Sequence, residues 1–135
     1  MAETSAPARG SSHRRRVAFI ALAVVIILPL GLLAAWTAIT LNVVYSTGER
    51  VGYVQKISKK GWTCKTWEGE LAMINVPGSM PQIFSFSIRD DATARKVMDA
   101  AGQRVALTYE QHRGVPSSCF GETEYFITGV RALGP

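Results

Sequence analysis

Two kinds of apolar pattern divide the chain. Val17 to Leu41 reads VAFIALAVVIILPLGLLAAWTAITL and holds no charged residue. At about 1.5 Å per residue this run makes roughly 37 Å of helix, against a hydrocarbon core of about 30 Å. It predicts one transmembrane helix, tilted or with its ends among the headgroups. From Glu49 onward the apolar positions instead recur by two. Arg50–Ser58 sets Val51, Tyr53 and Ile57 against polar neighbours, and Thr63–Val76 is a long strand candidate. Gln82–Ile88 places Phe84, Phe86 and Ile88 on one face, and Gln103–Tyr109 does the same with Val105, Leu107 and Tyr109. Thr123–Ala132 sets Tyr125 and Ile127 inward, with Val130 following an irregularity at Gly129. These are half-buried strands.

One segment departs from that period. Asp90–Ala101, DDATARKVMDAA, spaces Ala92, Val97, Met98 and Ala101 as a helix does. Asp90 and Asp91 suit its N-terminus and its dipole, and Gly102 can close its C-terminus in the left-handed region.

The predicted order is three strands, a helix and two strands, so the fold class is mainly β. That order matches the OB-fold, a five-stranded Greek-key barrel, here with one helix between strands 3 and 4. Another small, partly open β-barrel and an α+β sandwich are the alternatives. The organisation expected is a disordered basic tail (1–16), a transmembrane helix (17–41), a linker (42–48) in which Ser46, Thr47 and Gly48 break the helix, and an OB-like barrel domain (49–135).

Charge orients the span. Arg9, Arg14, Arg15 and Arg16 precede it, whereas Asn42–Gly48 carries no charge. The positive-inside rule puts the N-terminus in the cytoplasm and the C-terminal domain across the membrane. In a bacterium this is a single-pass inner-membrane protein with a periplasmic domain. Trp36 and Tyr45 suit the far interface, and Pro29 predicts a bend that membrane helices tolerate. A signal peptide has an apolar core of about 7–15 residues before a small-residue cleavage site. Here the run is longer, and Leu33 and Trp36 flank the nearest such site, Ala34–Ala35, so an uncleaved anchor is expected. The net charge of +5 divides into +3 on residues 1–16 (four arginines, one glutamate) and +2 beyond (eleven basic, nine acidic residues). The basic balance is therefore a topology signal. It predicts the lipid bilayer as a partner, with arginines beside anionic lipid, and no nucleic acid.

Candidate chemistry concentrates in GWTCKTWEGE, residues 61–70. Read as a strand, it places Trp67, Leu71 and Met73 on a core face and Glu68 and Glu70 on a solvated outer face, with Gly69 where a barrel strand bends or bulges. Cys64 and Cys119 form an even pair on the exported side, which predicts a disulfide. Cys64 follows the first inter-strand loop and Cys119 lies in the last, HRGVPSSCFGE. In an OB barrel those two loops flank one binding face. They carry Lys59, Lys60, Trp62, His112, Arg113 and Phe120, a set of cations interleaved with aromatics. Such a face suits an anionic or sugar-like ligand or an acidic surface of an envelope protein. The plainer reading has the lysines solvating a turn and the rings packing around the disulfide.

Catalytic readings are thinner. Cys64 with His112 as base competes with oxidation of the thiol, and Glu68 with Glu70 resembles any solvated pair. His13 lies across the membrane from His112, leaving one histidine and two cysteines, short of a closed zinc set. Neither G-x-G-x-x-G nor G-x-x-x-x-G-K-[ST] is present. No catalytic residue, metal or cofactor is expected.

The runs YSTGERVGYVQKISKKGWTCKTWEGELAM (45–73), RDDA (89–92) and RVALTYEQHRGVPSSCFGETEYF (104–126) resemble a family of small bacterial single-pass membrane proteins of uncharacterised function. Some members carry the name 6-phosphogluconate dehydrogenase. The resemblance covers nearly all of the exported part and implies no particular catalytic or binding residue. Two readings follow: a non-catalytic binding or assembly module of the envelope, or an enzyme of unknown reaction.

Overall fold

The computed structural model describes residues 10–73 and 77–134. The described residues form two compact units, divided between Trp36 and Thr37. Helix α1 (Gly10–Asn42) begins in the first and ends in the second, running without interruption through Pro29. It is long and apolar enough to cross a membrane, with a mean hydropathy of 3.0 in its most apolar window. Its start corrects the expected tail. Residues 10–16, with their three arginines, are helical rather than disordered, because extending an existing helix needs no new nucleus. Residues 1–9 lie outside the described residues.

The linker is shorter than expected. Only residues 43–45 separate α1 from strand β1 (Ser46–Lys60), so Ser46, Thr47 and Gly48 belong to the strand. The helix ends instead at Asn42, whose amide Nδ2 donates to the Ala38 carbonyl at 2.6 Å, folding the side chain back on the last turn. There follow β2 (Thr66–Met73), β3 (Ile83–Ile88), α2 (Asp91–Asp99), β4 (Arg104–Gln111) and β5 (Tyr125–Gly134). The expected continuation of β2 over 74–76 lies outside the described residues. The strands close a barrel in the order β1-β2-β3-β5-β4. All pairs are antiparallel except β3 with β5, which meet through the single parallel bridge Ser87–Phe126.

Strand β1 borders both β2 and β4, and a bulge in it corrects the expected phase. Gly52 and Val54 are buried while Tyr53 is exposed, opposite to the alternation predicted from Val51 and Tyr53. The register with β2 shifts between Val54 and Lys56. Gln55 is thus the extra residue of a bulge, which returns Ile57 to the core face. The bulge predicted at Gly69 is therefore on the partner strand. Gly69 itself is paired regularly with Ile57 and Phe86. It is glycine because the Phe86 ring lies over it: an added Cβ would stand 2.5 Å from that ring. The irregularity predicted at the end of the chain is present in β5, where the register shift opposite Thr108 and Tyr109 leaves Thr128 unpaired.

The core joins Val54, Leu71, Phe84, Phe86, Ile88, Val105, Leu107 and Ile127, with Trp67, Met73, Tyr109 and Val130 packed against it. Phe84, Tyr109 and Tyr125 meet pairwise with ring centroids 5.1–5.5 Å apart, and the Arg50 guanidinium sits over the first two. Helix α2 adds Ala94 and Val97 to the core, and its C-cap residue adds Ala100. Its N-cap is Asp90, which accepts from the Thr93 N–H at 2.8 Å. Gly102, at φ +83°, turns the chain out of it.

Candidate functional site

Strand β1 delivers Lys59 and Lys60 to the turn that precedes β2. Gly61 makes that turn possible. Its φ of +140° suits glycine, and a side chain there would run into the Cys64 carbonyl. Trp62, at the tip, is fully exposed. Two residues on, Cys64 is joined to Cys119, 55 residues later in sequence, with the two Cα atoms 4.9 Å apart. The β1–β2 turn and the long β4–β5 loop are thus one covalently closed unit, as the sequence predicts.

That closure determines what lies beneath the loop. Glu68 does point to the outer face of the sheet, but it is not solvated: it is only 6% exposed. Its carboxylate accepts the Thr66 hydroxyl at 2.7 Å, the Ser87 hydroxyl at 2.6 Å and the Glu122 backbone N–H at 2.9 Å. Ser87 Oγ also accepts the Thr123 N–H at 3.0 Å. Gly121 lets the loop press this closely, since an added Cβ would stand 2.7 Å from Ser87 Cβ and from the Phe126 ring. A buried carboxylate with three charge-assisted hydrogen bonds is well satisfied, so Glu68 is a clamp for the loop. Glu70 stays partly exposed beside Lys56 and Ser85, in a cleft of about 210 Å³.

The six residues expected on one face fall in different places. Lys59 and Phe120 line one pocket of about 320 Å³, with Lys65, Thr66, Trp67 and Arg89. Lys59 contacts Asp91 at 3.3 Å and lies 5.4 Å from the Trp67 ring centroid. Lys60 faces the neighbouring cleft and pairs with Glu122 at 2.9 Å, which raises its pKa. Trp62 projects from the turn. His112 and Arg113 stand apart from these, at the end of β1 where the strand begins. His112 is 3% exposed. Its Nδ1–H donates to the Thr40 carbonyl at 3.1 Å, and its Nε2 lies 3.4 Å from the Glu110 carboxylate. It caps the last turn of α1 and lines two other pockets, one with Glu110 and Phe126 and one with the β4–β5 loop, rather than the pocket of Lys59 and Phe120. Arg113 lies over the Tyr45 ring at 4.8 Å.

Sequence reasoning missed Lys65, Arg89 and Asp91 as pocket residues. Arg89 and Asp91 follow β3 directly, and the position of that strand's end beside the first turn is a signal the strand order could have supplied. The Asp91 carboxylate takes the Trp67 indole N–H at 2.6 Å as well as Lys59, and these two donors hold its pKa below the ordinary 3.8. Among the described residues no cluster of three or more His, Cys, Asp or Glu could hold a metal ion.

Fold and site together define a small disulfide-closed β-barrel that follows an apolar helix able to span a membrane. No family model matches the chain. It is similar to the tryptophan synthase alpha chain of Burkholderia thailandensis, 35% identical over 92 residues, which are 60% of this chain and 33% of that protein. The chain spans about a third of the length of that relative, and so partial a likeness brings no residue role to the barrel.

Proposed function

We propose that the chain is a single-pass protein of the bacterial inner membrane, with its N-terminus in the cytoplasm and an OB-like barrel in the periplasm. There it works as a non-catalytic binding or assembly module of the envelope. It would belong with the small bacterial membrane proteins whose sequences it resembles. Four arginines before the span and none just after it support the orientation. The strand order 1-2-3-5-4 in a closed barrel supports the OB-like reading.

The observation that carries the binding role is the disulfide between the β1–β2 turn and the β4–β5 loop. These are the loops with which OB barrels contact ligands. Here they are fixed relative to each other before any ligand arrives, and pre-organisation lowers the entropy cost of binding. Trp62, fully exposed on that fixed turn, is the residue type that most often anchors an interface.

Site-specific photocrosslinking in living cells tests this. A photoreactive phenylalanine at position 62 should give a discrete adduct, and one at position 133, on the far end of β5, should not. Absence of any adduct at 62, or an identical smear from both positions, would contradict the module reading.

A further inference from the structure

We infer that the pocket between the β1–β2 turn, the end of β3 and the β4–β5 loop binds an anionic group, a phosphate or carboxylate, held by Lys65 and Arg89. The inference rests on the reading of the barrel as a binding module and gives that module a ligand class.

Charge accounting carries it. The nearby acids are already engaged. Asp91 holds Lys59 and the Trp67 indole, Asp90 caps α2 through Thr93, Glu122 holds Lys60, and Glu110, which shares a second pocket with Arg89, lies against His112. Among the described residues, Lys65 and Arg89 have no carboxylate within 4 Å and no aromatic ring beneath them. Both line the same pocket, so it keeps two uncompensated positive charges. With Lys59 set against Asp91, the excess of positive charge attracts an anion.

The walls suit a ligand that carries that charge on a larger body. Thr66 gives its hydroxyl proton to Glu68, so the anion is left to the two cations. Trp67 and Phe120 supply apolar surface. The volume, about 320 Å³, is at the lower end of small-molecule sites. Cys119 forms part of the rim, so the disulfide that closes the loops also holds the pocket open.

The phosphate could be that of a soluble metabolite or of a lipid headgroup, and two arms separate them. In the first, full-length protein in a non-ionic detergent is titrated with sodium pyrophosphate, and the ¹⁵N–¹H signal of the Trp67 indole is followed. Trp36, in α1, serves as the internal reference. The indole should shift saturably, and Lys65→Gln or Arg89→Gln should each weaken binding about tenfold, the loss of roughly one charged contact. Lys56→Gln, in the neighbouring cleft, should leave it unchanged. In the second arm the protein is placed in nanodiscs of phosphatidylcholine with and without phosphatidylglycerol. A Trp67 shift that needs the anionic lipid, and is lost in the same two variants, assigns the site to a headgroup. A shift with pyrophosphate alone assigns it to a soluble anion. No shift in either arm, or equal weakening by Lys56→Gln, would overturn the site. Purified protein is used throughout, so a failure here is separable from a failed crosslink in cells.

Discussion

The backbone N–H of Glu122 donates to the carboxylate of Glu68 at 2.9 Å, across 54 residues of sequence. Through this bond and those of Ser87 and Thr66, one buried side chain on β2 holds down the loop that frames the candidate site. The disulfide fastens the middle of that loop, and Glu68 fastens its end.

Glu68→Ala removes the acceptor of three donors and leaves the Ser87 hydroxyl and a backbone N–H under a covering loop. The expected loss is about 3 kcal/mol. Glu70→Ala, on the same face but without such partners, should cost under about 0.5 kcal/mol. Denaturant unfolding of the two variants, read by near-ultraviolet circular dichroism, checks the contrast. Equal effects would show that Glu68 is not a clamp.

Gly69→Ala should be destabilising although it lies in a strand, where alanine is ordinarily tolerated. The new methyl would stand 2.5 Å from the Phe86 ring and 2.8 Å from the Lys56 carbonyl. Overpacking of this kind costs about 1–3 kcal/mol. Phe86→Leu in the same chain should recover part of the loss, measured as the coupling in a double-mutant cycle.

How much of this was legible in the sequence differs from element to element. Phe84, Phe86 and Ile88 alternate without interruption, so β3 and its buried face follow from period two alone. The same holds for Val105, Leu107 and Tyr109. The phase of β1 was not legible, because its bulge falls at Gln55, a residue with no turn or glycine character. Glu68 was placed on the correct face with the wrong environment, since the loop that covers it arrives from 54 residues away. The burial of His112 is hidden for the same reason, because its partner, the Thr40 carbonyl, lies 72 residues earlier. Local pattern reports which way a side chain points, and only tertiary packing decides what meets it.

His112→Ala should loosen the junction between the last turn of α1 and β1. The change leaves the Thr40 carbonyl without its donor and opens a cavity against Phe126, whose ring centroid is 5.4 Å away. A loss of about 2 kcal/mol is expected. Hydrogen exchange should rise at Val43 and Tyr45, whose N–H groups donate to Ile39 and Gln111, and should not change in α2.

Asp91 gives the pocket a pH dependence of definite sign. The Trp67 indole N–H and Lys59 favour its ionised form, so its folded pKa is depressed. The stabilisation is complete above the ordinary value of 3.8 and is lost as pH falls through the lower folded value. The Trp67 indole proton should therefore titrate with a midpoint below 3.8, and Asp91→Asn should abolish that titration. A midpoint at or above the ordinary value would remove the indole–carboxylate bond from the account.

The most direct test of the central claim is the redox state of Cys64 and Cys119 in cells. Full-length protein is denatured in acid straight from intact bacteria and alkylated with a mass-tagged maleimide, with and without prior reduction. No tag before reduction and two after it are expected: the proposed periplasmic location would supply an oxidising compartment, and the bond closes a loop worth about 4 kcal/mol. Two tags without reduction would contradict both the exported barrel and the joined loops.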